Sequence, residues 1–142
     1  MPTTLTNNPE ETQALAATLA TSLKGGDIIL LYGDLGSGKT CFVQGLAKAL
    51  GVTETVRSPS FTFVWEHRLP SLQCTMYHFD LYRLHYGDDL TPIGLSDVWG
   101  EPMTITVVEW ADRLGEYMPE HFIQIDFEYL RDSKRKITIQ KK

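Results

Sequence analysis

Gly33-Asp34-Leu35-Gly36-Ser37-Gly38-Lys39-Thr40 gathers glycines, one cation and one hydroxyl into a single short stretch. Glycines let a backbone curl until successive N–H groups face inward and cradle an anion. A lysine adds a compact charge, and a threonine hydroxyl suits the oxygen shell of a hard divalent cation. Together they fit the β- and γ-phosphates of a nucleoside triphosphate, with Mg2+ bridging them. The bare pattern, G-x-x-x-x-G-K-[ST], arises by chance in on the order of one chain in a few hundred, so its surroundings have to support it. They do. Ile28-Ile29-Leu30-Leu31-Tyr32 precedes it as a short apolar run, suited to a strand buried on both faces. Phe42, Val43, Leu46, Ala47 and Leu50 follow at helical spacing, with Gly51 as a stop. A helix opening at the loop adds the positive end of its dipole.

A phosphate loop of this kind needs an acid at the carboxyl end of a neighbouring strand, to hold the metal or its waters. Two residues have that placement: Asp80 after the strand-like Thr75–Phe79, and Glu109 after Thr104–Val108. They can divide the work, one as metal partner and the other orienting the attacking water or bridging to Arg83. His78, beside a strand end, reads as a structural hydrogen-bonder before a base, because phosphoryl transfer needs positioning and charge neutralisation more than a strong base. His67, His85 and His121 read as surface residues. Arg57, Arg83 and Arg113 are the candidate anion partners, unless a partner protein supplies the arginine.

The elements that must position these groups are legible in part. Asn8 caps a first helix, with Pro9 at its first position, Glu10 and Glu11 in its first turn and Glu11 completing a capping box. Leu15, Ala16, Leu19, Ala20 and Leu23 form its apolar face, and Gly25-Gly26 ends it. Phe61–Trp65 and Thr75–Phe79, joined by a turn over Arg68–Leu72, predict an antiparallel hairpin. Gly87–Gly100 reads as loop with a short helix. Phe122–Tyr129 and Lys136–Gln140 alternate about Arg131-Asp132-Ser133 and predict a terminal hairpin, with Ile137 and Ile139 inward. The whole predicts an α/β, three-layer fold over residues 1–142 as one domain. Its mixed central sheet is parallel in the middle, with helices on both faces and an antiparallel C-terminal hairpin.

Composition excludes several classes. The chain has 142 residues, 42% hydrophobic and 22% charged, which is ordinary globular usage. A net charge of −5 makes it a poor sole binder of nucleic acid. Lys134, Arg135, Lys136, Lys141 and Lys142 are locally basic and read as a solvated strand face and frayed tail. No apolar run approaches a membrane span, and the polar Met1–Glu11 lacks a signal sequence, so a cytoplasmic location is expected. Cys41 and Cys74 form no CxxC pair and read as reduced, packed thiols. Tyr82, Tyr86, Trp99 and Tyr117 fall outside the predicted strands and suit either an interface or a cover for the sheet.

The loop Gly33–Thr40, the stretch Ser58-Pro59-Ser60-Phe61-Thr62, the stretch His78-Phe79-Asp80-Leu81-Tyr82-Arg83 and Val108-Glu109-Trp110 occur in that order. In this order and spacing they resemble the TsaE family, formerly YjeE, small bacterial ATPases needed for N6-threonylcarbamoyladenosine in transfer RNA. The resemblance runs from the first helix to about Arg113. It implies that Gly33, Asp34, Leu35, Gly36, Ser37, Gly38, Lys39, Thr40 and Cys41 contact ATP or ADP, with Trp110 beside the nucleotide. It implies that Thr40 and Glu109 hold Mg2+ directly or through water, Glu109 being the Walker B acid. It further implies catalytic roles for Lys39, Asp80 and Glu109, and a switch-like segment at Ser58–Thr62. Tyr82 and Arg83 would couple the site to a partner. That partner is implied to be a TsaD–TsaB heterodimer, with tRNA met only indirectly. Ser60 stands where the family commonly has Thr. Cys41 stands where a small or hydroxylated residue is usual, and is expected to pack against the sheet.

Three rivals share the loop. A small-molecule kinase needs a cationic lid, and Gly87–Glu101 carries Asp88, Asp89, Asp97 and Glu101 with no Arg or Lys. A GTPase reads guanine through Asn-Lys-x-Asp, which is absent, since the asparagines are Asn7 and Asn8. A nucleotide-binding scaffold would not need Asp80 and Glu109. The adenine contact is expected between Thr6 and Thr12.

Overall fold

The computed structural model describes residues 3–34, 36–53 and 64–142. Leu35, Arg57, Ser58–Thr62 and the first part of the predicted strand Phe61–Trp65 lie outside the described residues. In chain order the elements are β1 (Thr3–Thr6), α1 (Pro9–Ala20), β2 (Ile28–Tyr32), α2 (Lys39–Ala49), β3 (Val64–Leu69), β4 (Cys74–Asp80), α3 (Leu95–Val98), β5 (Thr104–Glu109), β6 (Ile123–Tyr129) and β7 (Arg135–Lys141). The strands form one sheet in the order β1-β7-β6-β2-β5-β4-β3. β2 runs parallel to β5 and β6, and β4 parallel to β5, while β3, β7 and β1 add antiparallel edges. This is the expected mixed sheet.

The faces are covered unequally. Alternate residues of β2 point opposite ways: Ile29 and Leu31 enter the core built with α1 and α2, while Ile28 and Leu30 enter a second core. That second core holds Phe79, Leu81, Leu90, Leu95, Val108 and Leu114, so the second face is covered by the segment after β4, with its short α3 and 3-10 turns, and by the turns after β5. Trp99 and Tyr117 pack against this core, whereas Tyr86 is 76% exposed and Tyr82 is also exposed. The four aromatics outside the strands therefore split between cover and open surface.

Several boundaries differ from expectation. Asn8 Oδ1 accepts from the Glu11 N–H at 2.8 Å, as a cap should, but the Glu11 carboxylate returns to the Asn7 N–H rather than to Asn8. The helix stops at Ala20, short of Gly25. The Thr21 and Ser22 hydroxyls donate to the carbonyls of Thr18 and Leu19 at 2.7 and 3.0 Å, carbonyls that also accept the Thr21 and Ser22 N–H groups as the last turn tightens to i→i+3 bonds. β1 was not legible, because Thr3-Thr4-Leu5-Thr6 has no apolar alternation and owes its state to pairing with β7. β3 extends to Leu69, so the turn with β4 is confined to Pro70–Gln73.

His67 is buried, not a surface residue. It sits on the inward phase of β3 between the exposed Glu66 and Arg68. An apolar-or-polar reading of an edge strand cannot tell which phase faces in when both phases carry polar groups.

Candidate active site

β2, β4, β5 and β6 all run the same way, so their carboxyl ends open at one rim of the sheet. The loop Gly33–Gly38 leaves the end of β2 and feeds α2. Gly38 begins α2 with φ of 110°, a left-handed conformation open to glycine, which turns the chain directly into the helix. The first helical N–H groups then face the rim. Phe42 anchors that turn. It is fully buried and meets Phe127 of β6 edge-on, with ring centroids 5.4 Å apart.

The two predicted acids stand side by side. Asp80 ends β4 and Glu109 ends β5, and the parallel register pairs them directly. Both are 2% exposed. Glu109 Oε1 accepts from the Thr40 hydroxyl at 2.9 Å, joining the start of α2 to the end of β5. Glu109 Oε2 lies 2.6 Å from His78 Nε2. Asp80 Oδ1 accepts from the Tyr82 N–H at 2.9 Å, which turns the chain after β4.

Lys39 is buried across the mouth of the loop. Its ammonium donates to the carbonyls of Gly33 and Asp34, the latter at 3.1 Å. The Trp110 ring covers it at 3.7 Å. Burial lowers the Lys39 pKa below its usual value, while Glu109, Asp112, Asp80 and Asp34 pull it back up. Trp110 itself holds φ of 59° and ψ of 45°, unusual for a bulky side chain, and its ring contacts Tyr82 at 5.1 Å. Strain of this kind clusters at functional sites.

A cleft of about 480 Å³ opens among Gly36, Gly38, Lys39, Thr40, Asp80, Glu109, Trp110 and Arg135. Its size is ordinary for a small-molecule site. Leu35, Arg57 and Ser58–Thr62 lie outside the described residues; Gly36, Gly38, Lys39, Thr40, Cys41, Asp80, Glu109 and Trp110 converge on this cleft, and Gly33, Asp34 and Ser37 on the adjoining loop. Ser37 Oγ is buried with no hydrogen-bond partner among the described residues, at the base of the loop. Cys41 differs from expectation. It is half-buried, and its thiol donates to the Pro9 carbonyl at 3.6 Å, so it faces the start of α1 rather than the sheet. Burial raises its pKa.

Two arginines also differ. Arg113, a candidate anion partner, donates Nε–H to the Leu84 carbonyl at 2.9 Å and pairs with Asp112, so it fastens two turns together. Arg135 is no part of a solvated face. Its Nε lies 3.6 Å from where a side chain on Gly38 would begin, and its guanidinium stacks 4.4 Å over Tyr129. One of its terminal nitrogens is buried without a hydrogen-bond partner among the described residues. The available signal was indirect: a terminal hairpin that returns along β6 puts the start of β7 at the same rim as the loop. Lys134, Lys136, Lys141 and Lys142 are exposed, as expected.

The donors suit a magnesium nucleotide. Oxygens of Thr40 and Glu109 are hard ligands already in contact, and no group of three or more His, Cys, Asp or Glu among the described residues forms a full metal cage. Mg2+ is commonly held this way, by one or two protein oxygens with phosphate and water completing its shell. Among the described residues no helix is long and apolar enough to cross a membrane.

A family model described as "Threonylcarbamoyl adenosine biosynthesis protein TsaE" matches residues 6–137. A protein of Bacillus subtilis named tRNA threonylcarbamoyladenosine biosynthesis protein TsaE is 41% identical over 133 residues, covering 94% of this chain and 81% of its own. One of the same name from Treponema pallidum is 36% identical over 138 residues, covering 95% and 97%. The crystal structure of Bacillus subtilis YdiB superposes with a TM-score of 0.80 at 36% identity, covering 97% of this chain and 83% of that one.

Proposed function

The chain belongs to the TsaE family, and from that premise we propose that it binds ATP with Mg2+ and hydrolyses it to support N6-threonylcarbamoyladenosine formation in tRNA. The observation that carries the chemistry is the Thr40–Glu109 hydrogen bond at 2.9 Å, which sets a hydroxyl and a carboxylate at the head of α2 beside Lys39 and Asp80.

In this reading the loop amides and the start of α2 receive the phosphates. Lys39 exchanges its contacts with the Gly33 and Asp34 carbonyls for phosphate oxygens. Thr40 and Glu109 would hold Mg2+, directly or through water, and the bound ion would supply charge neutralisation to the phosphates. Asp80, one strand away, orients the attacking water. Arg135 approaches from the β7 side as a second cation toward the phosphates, and Trp110 screens the site from bulk water. The protein acts on a TsaD–TsaB heterodimer and meets tRNA only through it, which the charge of −5 favours.

The kinase alternative loses ground because residues 87–101 bury Leu90 and Leu95 in the second core and are committed to the sheet rather than free to close as a lid. Phosphate release and calorimetry test the reading. Lys39→Ala should abolish tight ATP–Mg2+ binding, and Glu109→Ala or Asp80→Ala should slow phosphate release far more than they weaken ADP affinity. Unchanged release in both carboxylate variants would refute their assigned roles. For the pathway, modified tRNA is counted over many turnovers with the partner complex present, and omission of this protein should stop it after few.

A further inference from the structure

We propose that His78 is a positioning residue that fixes the Glu109 carboxylate for its work on the metal. The inference rests on the magnesium-nucleotide reading above and deepens it.

His78 is 0% exposed, on the face of β4 that looks toward α2. Met76, two residues earlier on that face, and Val107, its partner across the sheet, are both buried and apolar. A residue that merely filled this position would be apolar too. Imidazole is costly here, since His78 Nδ1 is buried with no hydrogen-bond partner among the described residues. The other nitrogen accounts for its presence. His78 Nε2 sits 2.6 Å from Glu109 Oε2, and Thr40 occupies Glu109 Oε1 at 2.9 Å. The carboxylate is thereby held at both oxygens, so its plane cannot rotate about the last side-chain bond.

The unpartnered Nδ1 also selects the tautomer. A proton there would lack an acceptor, so the ring carries its proton on Nε2 and donates it to Glu109. Oε2 is then committed to the protein interior, and Oε1 is the oxygen presented to the cleft beside Thr40. Outer-shell partners of a ligating carboxylate commonly change metal affinity or activity about 10- to 100-fold when removed. His78 itself is not among the residues that line the cleft, whereas Glu109 is.

The test compares wild type, His78→Leu, which keeps the apolar surroundings but removes the donor, and His78→Gln, whose amide nitrogen can stand near the place of Nε2. Thermal melting establishes that each is folded. The Mg2+ concentration needed for half-maximal tightening of ATP binding is then read by calorimetry, beside ADP affinity without metal. His78→Leu should need about 10-fold more Mg2+ with metal-free ADP affinity unchanged, and His78→Gln should recover most of the loss. Long-range proton–nitrogen spectra of metal-free wild type should show the His78 proton on Nε2. A Leu variant with the wild-type Mg2+ requirement, or a wild-type proton on Nδ1, overturns the positioning role alone. A wild-type protein whose ATP binding ignores Mg2+ overturns the magnesium reading and this inference with it.

Discussion

Lys39 spends its ammonium on two carbonyls of its own loop and on the face of Trp110, at a place where burial makes the charge expensive. A polyphosphate entering the cleft would reverse that balance, raising the Lys39 pKa from its depressed value. Binding should therefore take up a proton at alkaline pH below the free-lysine value of 10.5, where part of the unliganded population has lost it. Calorimetry of ADP binding in buffers of different ionisation enthalpy measures this, and the uptake should vanish near neutrality and in Lys39→Arg. The residues of this loop were legible because their chemistry is local: glycines, a cation and a hydroxyl at fixed spacing. The Asp80–Glu109 pair was legible as two strand ends. The His78–Glu109 contact and the burial of His67 were not, since each depends on which phase of a strand faces inward, and a strand with polar residues on both phases does not announce that.

Elements hold the site through two close packings. α1 lies against α2, and a side chain on Gly45 would begin 2.6 Å from the Gln13 Cα. Glycine inside a helix normally weakens it. Here it lets the two backbones approach, and α1 in turn presents Thr12, Ala16 and Ala20 as its buried line. Gly45→Ala should cost about 1–3 kcal/mol by overpacking, read as a lower urea midpoint. Loss of nucleotide affinity should stay small in the fraction that remains folded, because α2 is also anchored by Phe42 against Phe127. The sequence placed both helices by their apolar spacing, but the end of α1 escaped it. The glycines at 25 and 26 looked like the stop, yet the hydroxyls of Thr21 and Ser22 capture carbonyls earlier.

At the scale of the whole molecule, the site draws on distant parts of the chain: the loop after β2, the ends of β4 and β5, and the first residue of β7. Arg135→Ala should weaken ADP affinity roughly 10-fold, as expected for removing one charge-assisted contact, while leaving the melting temperature of the free protein nearly unchanged. Titration calorimetry and a thermal scan decide it, and an unaltered affinity would place Arg135 in a purely structural role over Tyr129. Of this arrangement the sequence disclosed the sheet type and both hairpins. It did not disclose that β7 brings a cation to the rim, because that follows from the strand order, and strand order is a property of long-range pairing.

That strand order also sets a dependence. β6, which lies directly beside β2, and β7, which carries Arg135 and receives β1, come after the other strands of the sheet in chain order. A chain without β7 would keep the glycine loop, Asp80 and Glu109 but would lose Arg135 from the wall of the cleft, and β1 would be left without the strand it pairs with.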